Sequence, residues 1–176
     1  VGGGLTPWLE RAMTSLVGDS VVVELLRADG LRLLGYRQAT NFSTHNYLVK
    51  GHEHKDIDPH VWLDPENAKV WLDVVAVALS KVDSANADIY LRNAVDGKNE
   101  LDSMITELSQ ILEPIRRKPF IVLHDAYQYF EARFGIEASG SILPSDAIVP
   151  GPTRLLKIQD IIESLGVLCI FIDPLY

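Results

Sequence analysis

Apolar residues return at helical intervals over several stretches of the chain, with short unbroken apolar runs between them. Leu9, Ala12, Met13, Leu16 and Val17 follow Thr6 and Pro7 and stop at Gly18, which predicts an opening helix after the glycine-rich start at Val1-Gly2-Gly3-Gly4. Ala68, Trp71, Leu72, Val75, Leu79 and Val82 form a second stripe behind Asp64 and Pro65. A short acidic side chain accepts from the free N–H groups at a helix start, and proline suits the first helical position, so a helix is predicted from Pro65 to about Val82. Periodicity continues from Ser84 to Ile115 through Ile89, Ala94, Leu101, Met104, Ile105, Leu108, Ile111 and Leu112. Unbroken, that stretch is about 45 Å long at 1.5 Å per residue, enough to brace two lobes. Gly97 interrupts it, so a two-helix hairpin broken near Asp96 and Gly97 is the alternative.

The remaining runs are short. Val21-Val22-Val23 and residues 31–34 suit edge pieces of a sheet. Between Tyr36 and Lys55 the sequence is polar and without period. After Arg116-Arg117-Lys118 the pattern becomes an α/β alternation: an apolar strand over residues 119–123, then a helix with Ala126, Tyr127, Phe130 and Phe134 on one face, ended by Gly135. Residues 142–150 are a loop, Gly151-Pro152 opens a helix carrying Leu155, Ile158, Ile162 and Leu165, and residues 167–172 form a closing strand. Strand, helix, helix, strand implies an α/β fold with a parallel sheet covered on both faces. Cys169, inside the last apolar run, is expected as a buried strand thiol.

Charge narrows the partners. The 176 residues carry 24 acidic against 16 basic side chains, a formal charge of −8, which disfavours nucleic acid because phosphate backbones need local positive charge. A small cation suits this balance better. One cysteine permits no disulfide within the chain. The sequence has no membrane-spanning apolar run and no signal peptide, and its start at Val1 leaves room for an upstream targeting segment.

Two histidines sit at abrupt element boundaries. His60 lies in Asp58-Pro59-His60-Val61-Trp62-Leu63-Asp64-Pro65, where Pro59 restricts Asp58 and presents the imidazole from a stiffened extended segment just ahead of a helix. His124 lies where the strand over residues 119–123 gives way to a helix, the carboxyl edge at which α/β sheets collect ligands; Asp125 is a candidate cap for that helix. Neutral imidazole is a good zinc ligand, and nearby carboxylates orient its second nitrogen. His52 and His54, with Glu53 and Asp56, are candidate accessory cation-gathering residues, the alternative being a solvated loop. Enzyme signatures are missing: there is no His-Glu-x-x-His, no Gly-x-Ser-x-Gly, no P-loop and no dinucleotide glycine pattern.

Taken together, the opening glycine-rich segment, the His60 motif, the long helical region, Leu123-His124-Asp125-Ala126-Tyr127-Gln128-Tyr129-Phe130, Pro150-Gly151-Pro152 and Phe171-Ile172-Asp173-Pro174 resemble the metal-specific solute-binding proteins of ABC uptake systems, zinc type. The resemblance implies two α/β lobes joined by a long helix, with residues 1–83 a partial N-terminal lobe, 84–116 the linking helix region and 117–176 a partial C-terminal lobe. It implies that His60 and His124 are the second and third ligands of a Zn²⁺ ion. The family's first ligand, a histidine, is expected upstream of Val1 and its fourth, an aspartate, beyond Tyr176; that role is not carried onto Asp173, and the chain is read as truncated at both ends. Manganese-selective relatives carry glutamate at the third position, and imidazole suits Zn²⁺ better than Mn²⁺. The implied function is capture of periplasmic Zn²⁺, or extracytoplasmic Zn²⁺ on a membrane anchor where there is no outer membrane, and its delivery to an ABC permease without catalysis. Alternatives are a zinc-dependent hydrolase using Asp58 or Asp125, a manganese transport protein, and an interaction domain in which neither histidine meets metal. Self-association of the chain through uncovered sheet edges is a further expectation.

Overall fold

The computed structural model describes residues 9, 12, 13, 18, 20–37, 42, 57–143 and 149–172. Contacts divide the chain into two compact units, Val1–Leu33 with Glu53–Glu107, and Leu34–His52 with Leu108–Tyr176. Among the described residues no helix is long and apolar enough to cross a membrane.

The first unit is built on a helical hairpin whose second helix runs on past the unit's last residue, Glu107. Helix α1 spans Pro65–Val82, with Pro65 in its first turn and the Asp64 carboxylate accepting from the Glu66 N–H at 3.0 Å. Helix α2 spans Ala87–Leu112 and runs through Gly97 without a break. The joint lies instead at residues 83–86, where a 3₁₀ turn (Ser84–Asn86) intervenes and the Asp83 carboxylate accepts from the Tyr90 hydroxyl and the Asn86 amide, both at 2.7 Å. Lys69 reaches Asp102 and Lys98 reaches Asp73, each at 2.6 Å, so the two helices run antiparallel. These exposed pairs set alignment more than stability, being worth only about 0–1 kcal/mol each. Gly97 lies where α2 approaches α1: a Cβ there would stand 3.1 Å from Leu72 Cδ1. The apolar stripes are only partly covered. Trp71, Ala76 and Ala94 are buried, whereas Val75, Leu79, Val82, Ile89, Met104 and Ile111 are exposed.

Side-chain amides and an indole tie the preceding chain to α1. Asn67, buried, accepts from the Arg32 N–H at 2.8 Å and donates to the carbonyls of Arg32 at 3.0 Å and Val61 at 3.2 Å. Trp71 donates its indole N–H to the Leu25 carbonyl at 2.9 Å. Residues 20–24, read from sequence as including a strand piece, are not in a strand, and Val21, Val22 and Val23 are exposed. β-branching alone does not make a strand without a neighbour to pair with. Leu25–Arg27 is a 3₁₀ turn, and of residues 31–34 only Leu34 makes a bridge. Of the opening helix, the described Leu9, Ala12 and Met13 are helical.

The second unit holds a three-stranded parallel sheet in the order β2-β1-β3, made of β1 (Phe120–Val122), β2 (Gly140–Ser141) and β3 (Cys169–Phe171). Ile121 pairs with Gly140 on one side and Ile170 on the other. Alternation along β1 sends Ile121 to one face, against Ile158 and Ile161 of helix α4 (Pro152–Leu165), and Val122 to the other, against Phe42 and Ala138. Helix α3 (Gln128–Phe134) lies between β1 and β2 and ends at Gly135, whose φ of 67° is left-handed. Strand β2 has no apolar run to announce it and was not legible in the sequence. Cys169 is exposed, against the expectation of a buried thiol: β3 is one of the two outer strands of the described sheet, and unlike β2 none of its side chains is covered by described residues.

Leu34–His52 group with the second unit and Val1–Leu33 with the first. The reason is specific bonding: the Phe42 N–H donates to the Ser139 carbonyl at 3.3 Å, and the Gln128 amide donates to the Gly35 carbonyl at 2.8 Å.

Gly97→Ala is expected to change the unfolding free energy by less than about 1 kcal/mol, its helix-propensity gain offset by crowding against Leu72, while Gly97→Val destabilises by about 1–3 kcal/mol. Urea unfolding followed by circular dichroism checks this; equal stability of the valine variant would mean that the helices do not approach closely there.

Candidate metal centre

The two candidate ligands lie in different units, His60 in the first and His124 in the second. His60 does not sit in an extended segment as the sequence suggested. Its φ and ψ are −78° and 31°, and it caps a 3₁₀ turn, Val61–Leu63, that intervenes before α1. The turn is pinned from below: Val61 is fully buried and its carbonyl accepts from Asn67. The ring is held by Asp58, which is itself fully buried. One oxygen of that carboxylate accepts from the His60 backbone N–H at 2.9 Å and lies 2.6 Å from Nδ1. A carboxylate oxygen at this distance accepts from an Nδ1–H, so the contact favours the tautomer that puts the ring's lone pair on Nε2, the arrangement a metal-binding imidazole uses. The Trp62 ring flanks the imidazole at 5.4 Å between centroids. His60 retains 8% exposure.

His124 stands at the carboxyl end of the central strand. Ladder bonding continues through Leu123, whose N–H donates to the Phe171 carbonyl at 2.8 Å and whose carbonyl accepts from Leu143 at 2.7 Å. The next residue is His124, 8% exposed, with Nδ1 buried and the Tyr127 ring 6.3 Å away. Its own carbonyl accepts from the Ala126 N–H at 3.0 Å, closing the turn toward α3.

Asp125 does not cap α3, as the sequence allowed; the N-cap is Tyr127, with no side-chain cap bond. Its carboxylate instead meets Arg37, whose Nε donates to Oδ2 at 2.9 Å and to Oδ1 at 3.0 Å and whose Nη2 also donates to Oδ1. The same guanidinium donates to Glu131 of α3 at 2.8 and 3.0 Å and lies 3.8 Å over the Phe42 ring. Burial by itself would lower the Arg37 pKa; hydrogen bonds and charge from Glu131 and Asp125 more than offset it and hold the group above its ordinary value. Burial lowers the pKa of Arg154 in the first turn of α4, and the charge of Asp125 acts against that shift. Arg154 clamps the segment after β2, donating to the carbonyls of Ser141 and Ile142, each at 2.8 Å.

Among the described residues no group of three or more His, Cys, Asp or Glu side chains is arranged to hold a metal ion. His52 and His54 lie outside the described residues, as do His45 and Asp173. Sequence reasoning named both histidines as candidates and did not name Arg37 or Glu131. The available signal was Gln128 and Glu131, polar residues three apart on a seven-residue helix with little room for a solvent face.

Long-range proton–nitrogen spectra should find His60 in the Nδ1–H tautomer, with Asp58→Ala moving the population toward Nε2–H. An unchanged tautomer in the variant would show that Asp58 does not set it.

A sequence model of the family described as "Zinc-uptake complex component A periplasmic" (ZnuA) matches residues 1–176. The high-affinity zinc uptake system protein ZnuA of Brucella abortus (strain 2308) is 35% identical over 200 residues, covering 98% of this chain and 60% of that protein. The protein of the same name from Paracoccus denitrificans (strain Pd 1222) is 35% identical over 203 residues, covering 97% and 58%. A crystal structure of a Zn(II)-bound AdcAII mutant variant of Streptococcus pneumoniae superposes with a TM-score of 0.74 at 27% identity, covering 97% of this chain and 61% of that one. The chain therefore spans about three fifths of the length of the curated relatives it matches, 60% and 58% in these two cases.

Proposed function

The chain belongs to the zinc-uptake complex component A periplasmic family, and on that basis we propose that the protein captures Zn²⁺ outside the cytoplasmic membrane and hands it to the permease of an ABC transporter. His60 and His124 are the ligands this chain contributes. The observation that carries the reading is the Asp58–His60 pair: a buried carboxylate 2.6 Å from Nδ1 leaves Nε2 as the donor nitrogen. Two imidazoles are borderline-soft donors that favour Zn²⁺ over Mn²⁺. The Zn(II)-bound relative and the zinc-uptake names of the two bacterial proteins support the same cargo. They favour neither the hydrolase nor the manganese alternative.

In this reading the protein binds and releases its ion without making or breaking covalent bonds, and it works in the periplasm or its extracytoplasmic equivalent. Residues 84–116, centred on α2, serve as the link between the lobes of the full-length protein. His52 and His54 gather zinc near the principal site without belonging to it.

Chelator-competition titration tests the assignment. The 176-residue chain is expected to bind Zn²⁺ weakly, because two protein ligands leave the other positions to water. His60→Ala and His124→Ala are each expected to lower that affinity by at least about tenfold, a loss at the low end of that seen when even an outer-shell partner of a metal ligand is removed. Unchanged affinity in both variants, or tighter binding of Mn²⁺ than of Zn²⁺, would sink it.

A further inference from the structure

We propose that Arg37 is a positioning and specificity residue for the second unit's half of the metal site: it fixes the turn that carries His124 and keeps the neighbouring Asp125 carboxylate out of the donor set. The proposal rests on the reading of His124 as a zinc ligand.

The geometry concerns one unit only. A guanidinium has no acceptor and does not deprotonate in a protein, so Arg37 cannot itself ligate a cation. What it can do is hold anions in a fixed orientation, since its planar fork meets carboxylates in two places at once. Here the fork spans two carboxylates. Asp125 is one peptide unit from His124, and both its oxygens accept from Arg37. Glu131 lies on α3, and besides its two bonds to Arg37 its Oε2 accepts from the Ala138 N–H at 3.1 Å, ahead of β2. One cation thus ties the turn before α3 to the chain after it.

That turn needs such a tie. Helix α3 has only seven residues and no side-chain cap bond, too little to order its own start. The segment bearing Arg37 is anchored in its turn. The Leu34 N–H donates to the Tyr129 hydroxyl at 2.9 Å, Gln128 donates to the Gly35 carbonyl at 2.8 Å, and Phe42 packs with Val122 and Ala138. Arg37 is therefore held from both sides before it reaches Asp125.

Chemistry gives the second consequence. A carboxylate beside a metal-binding imidazole is a hard oxygen donor, and oxygen donors favour Mn²⁺ where imidazole favours Zn²⁺. With both oxygens engaged by Arg37, the turn offers imidazole and not carboxylate. Release of Asp125 would add an oxygen donor within one residue of His124.

The test measures Zn²⁺ and Mn²⁺ affinities of the 176-residue chain and its variants, together with the ring signals of His124 by NMR. Arg37→Gln is expected to broaden or split the His124 ring signal and to lower the ratio of Zn²⁺ to Mn²⁺ affinity by roughly tenfold, the scale on which partners behind a metal ligand act. Arg37→Lys keeps the charge but not the fork and should fall between. The double variant Arg37→Gln/Asp125→Asn has no carboxylate to swing in, so its ratio should return toward that of the parent. A general loss of structure would weaken both metals alike and would not be rescued. An unchanged ratio and an unchanged His124 signal in Arg37→Gln overturn the proposal. If Arg37→Gln and Arg37→Lys do not fold, ring and amide relaxation in the unaltered chain decides: His124 and Asp125 as rigid as the β1 backbone supports it, and disorder on the nanosecond scale overturns it. Should the parent chain and His124→Ala bind zinc equally, the zinc-ligand reading fails by itself, while the ring signals still decide whether Arg37 positions the turn.

Discussion

A guanidinium enclosed by two carboxylates is the constraint on which the second unit turns. Arg37, Asp125 and Glu131 are nearly or fully removed from water, with side-chain exposures of 7%, 11% and 4%. Taking charges out of water is costly, and only good geometry with several hydrogen bonds recovers the loss. Losing one partner of such a group typically costs about 3–5 kcal/mol, because the remaining charge stays buried and uncompensated. The arrangement therefore specifies position more than it adds stability. With the buried Leu34 and Phe42 on either side, it holds Arg37 against α3 and the end of β1.

The two histidines are held in different ways, although each has an aspartate close by in sequence. Asp58 acts on the ring: its oxygen meets Nδ1 and decides which nitrogen is left to bind. Asp125 meets Arg37, which ties the turn beside His124 to a distant segment. One aspartate sets a tautomer and the other anchors a turn. A spacing of two residues lets a side chain fold back onto the ring over a proline-stiffened bend; Asp125, in the turn that leads from β1 into α3, is taken instead by the arginine.

Parallel pairing on both sides of β1 stiffens the strand that carries His124 at its end. Both faces of that strand are covered, by Ile158 and Ile161 on one side and by Phe42 and Ala138 on the other, so its carboxyl end is fixed in space. A side chain placed one residue beyond the last ladder bonds, as His124 is, inherits that rigidity. In the first unit the same result is reached without a strand: α1 supplies the Asp64 cap and Asn67, and these hold the 3₁₀ turn that His60 begins.

Local chemistry was legible in the sequence because its causes are local. Asp64 before Pro65, the glycine after Phe134, the apolar run ending at His124 and the aspartate two residues before His60 act within a few residues, and each did what its type and spacing dictate. Continuity of α2 through Gly97 was left open by the sequence, since glycine weakens a helix in isolation; packing against Leu72 settled it, as a side chain there would have met α1. Strand β2 is two residues long and owes its existence to β1, so no periodicity could reveal it. Cys169 was misjudged because burial of a strand depends on what covers its faces, and among the described residues nothing covers β3 as β1 is covered. Arg37 lies 88 residues from Asp125 and 94 from Glu131 in a stretch that reads as ordinary polar loop. Candidate residues for the chemistry could be named from the sequence; what holds His124 in place was decided only in three dimensions, because a buried ion pair is a property of two distant segments brought together and of neither one alone.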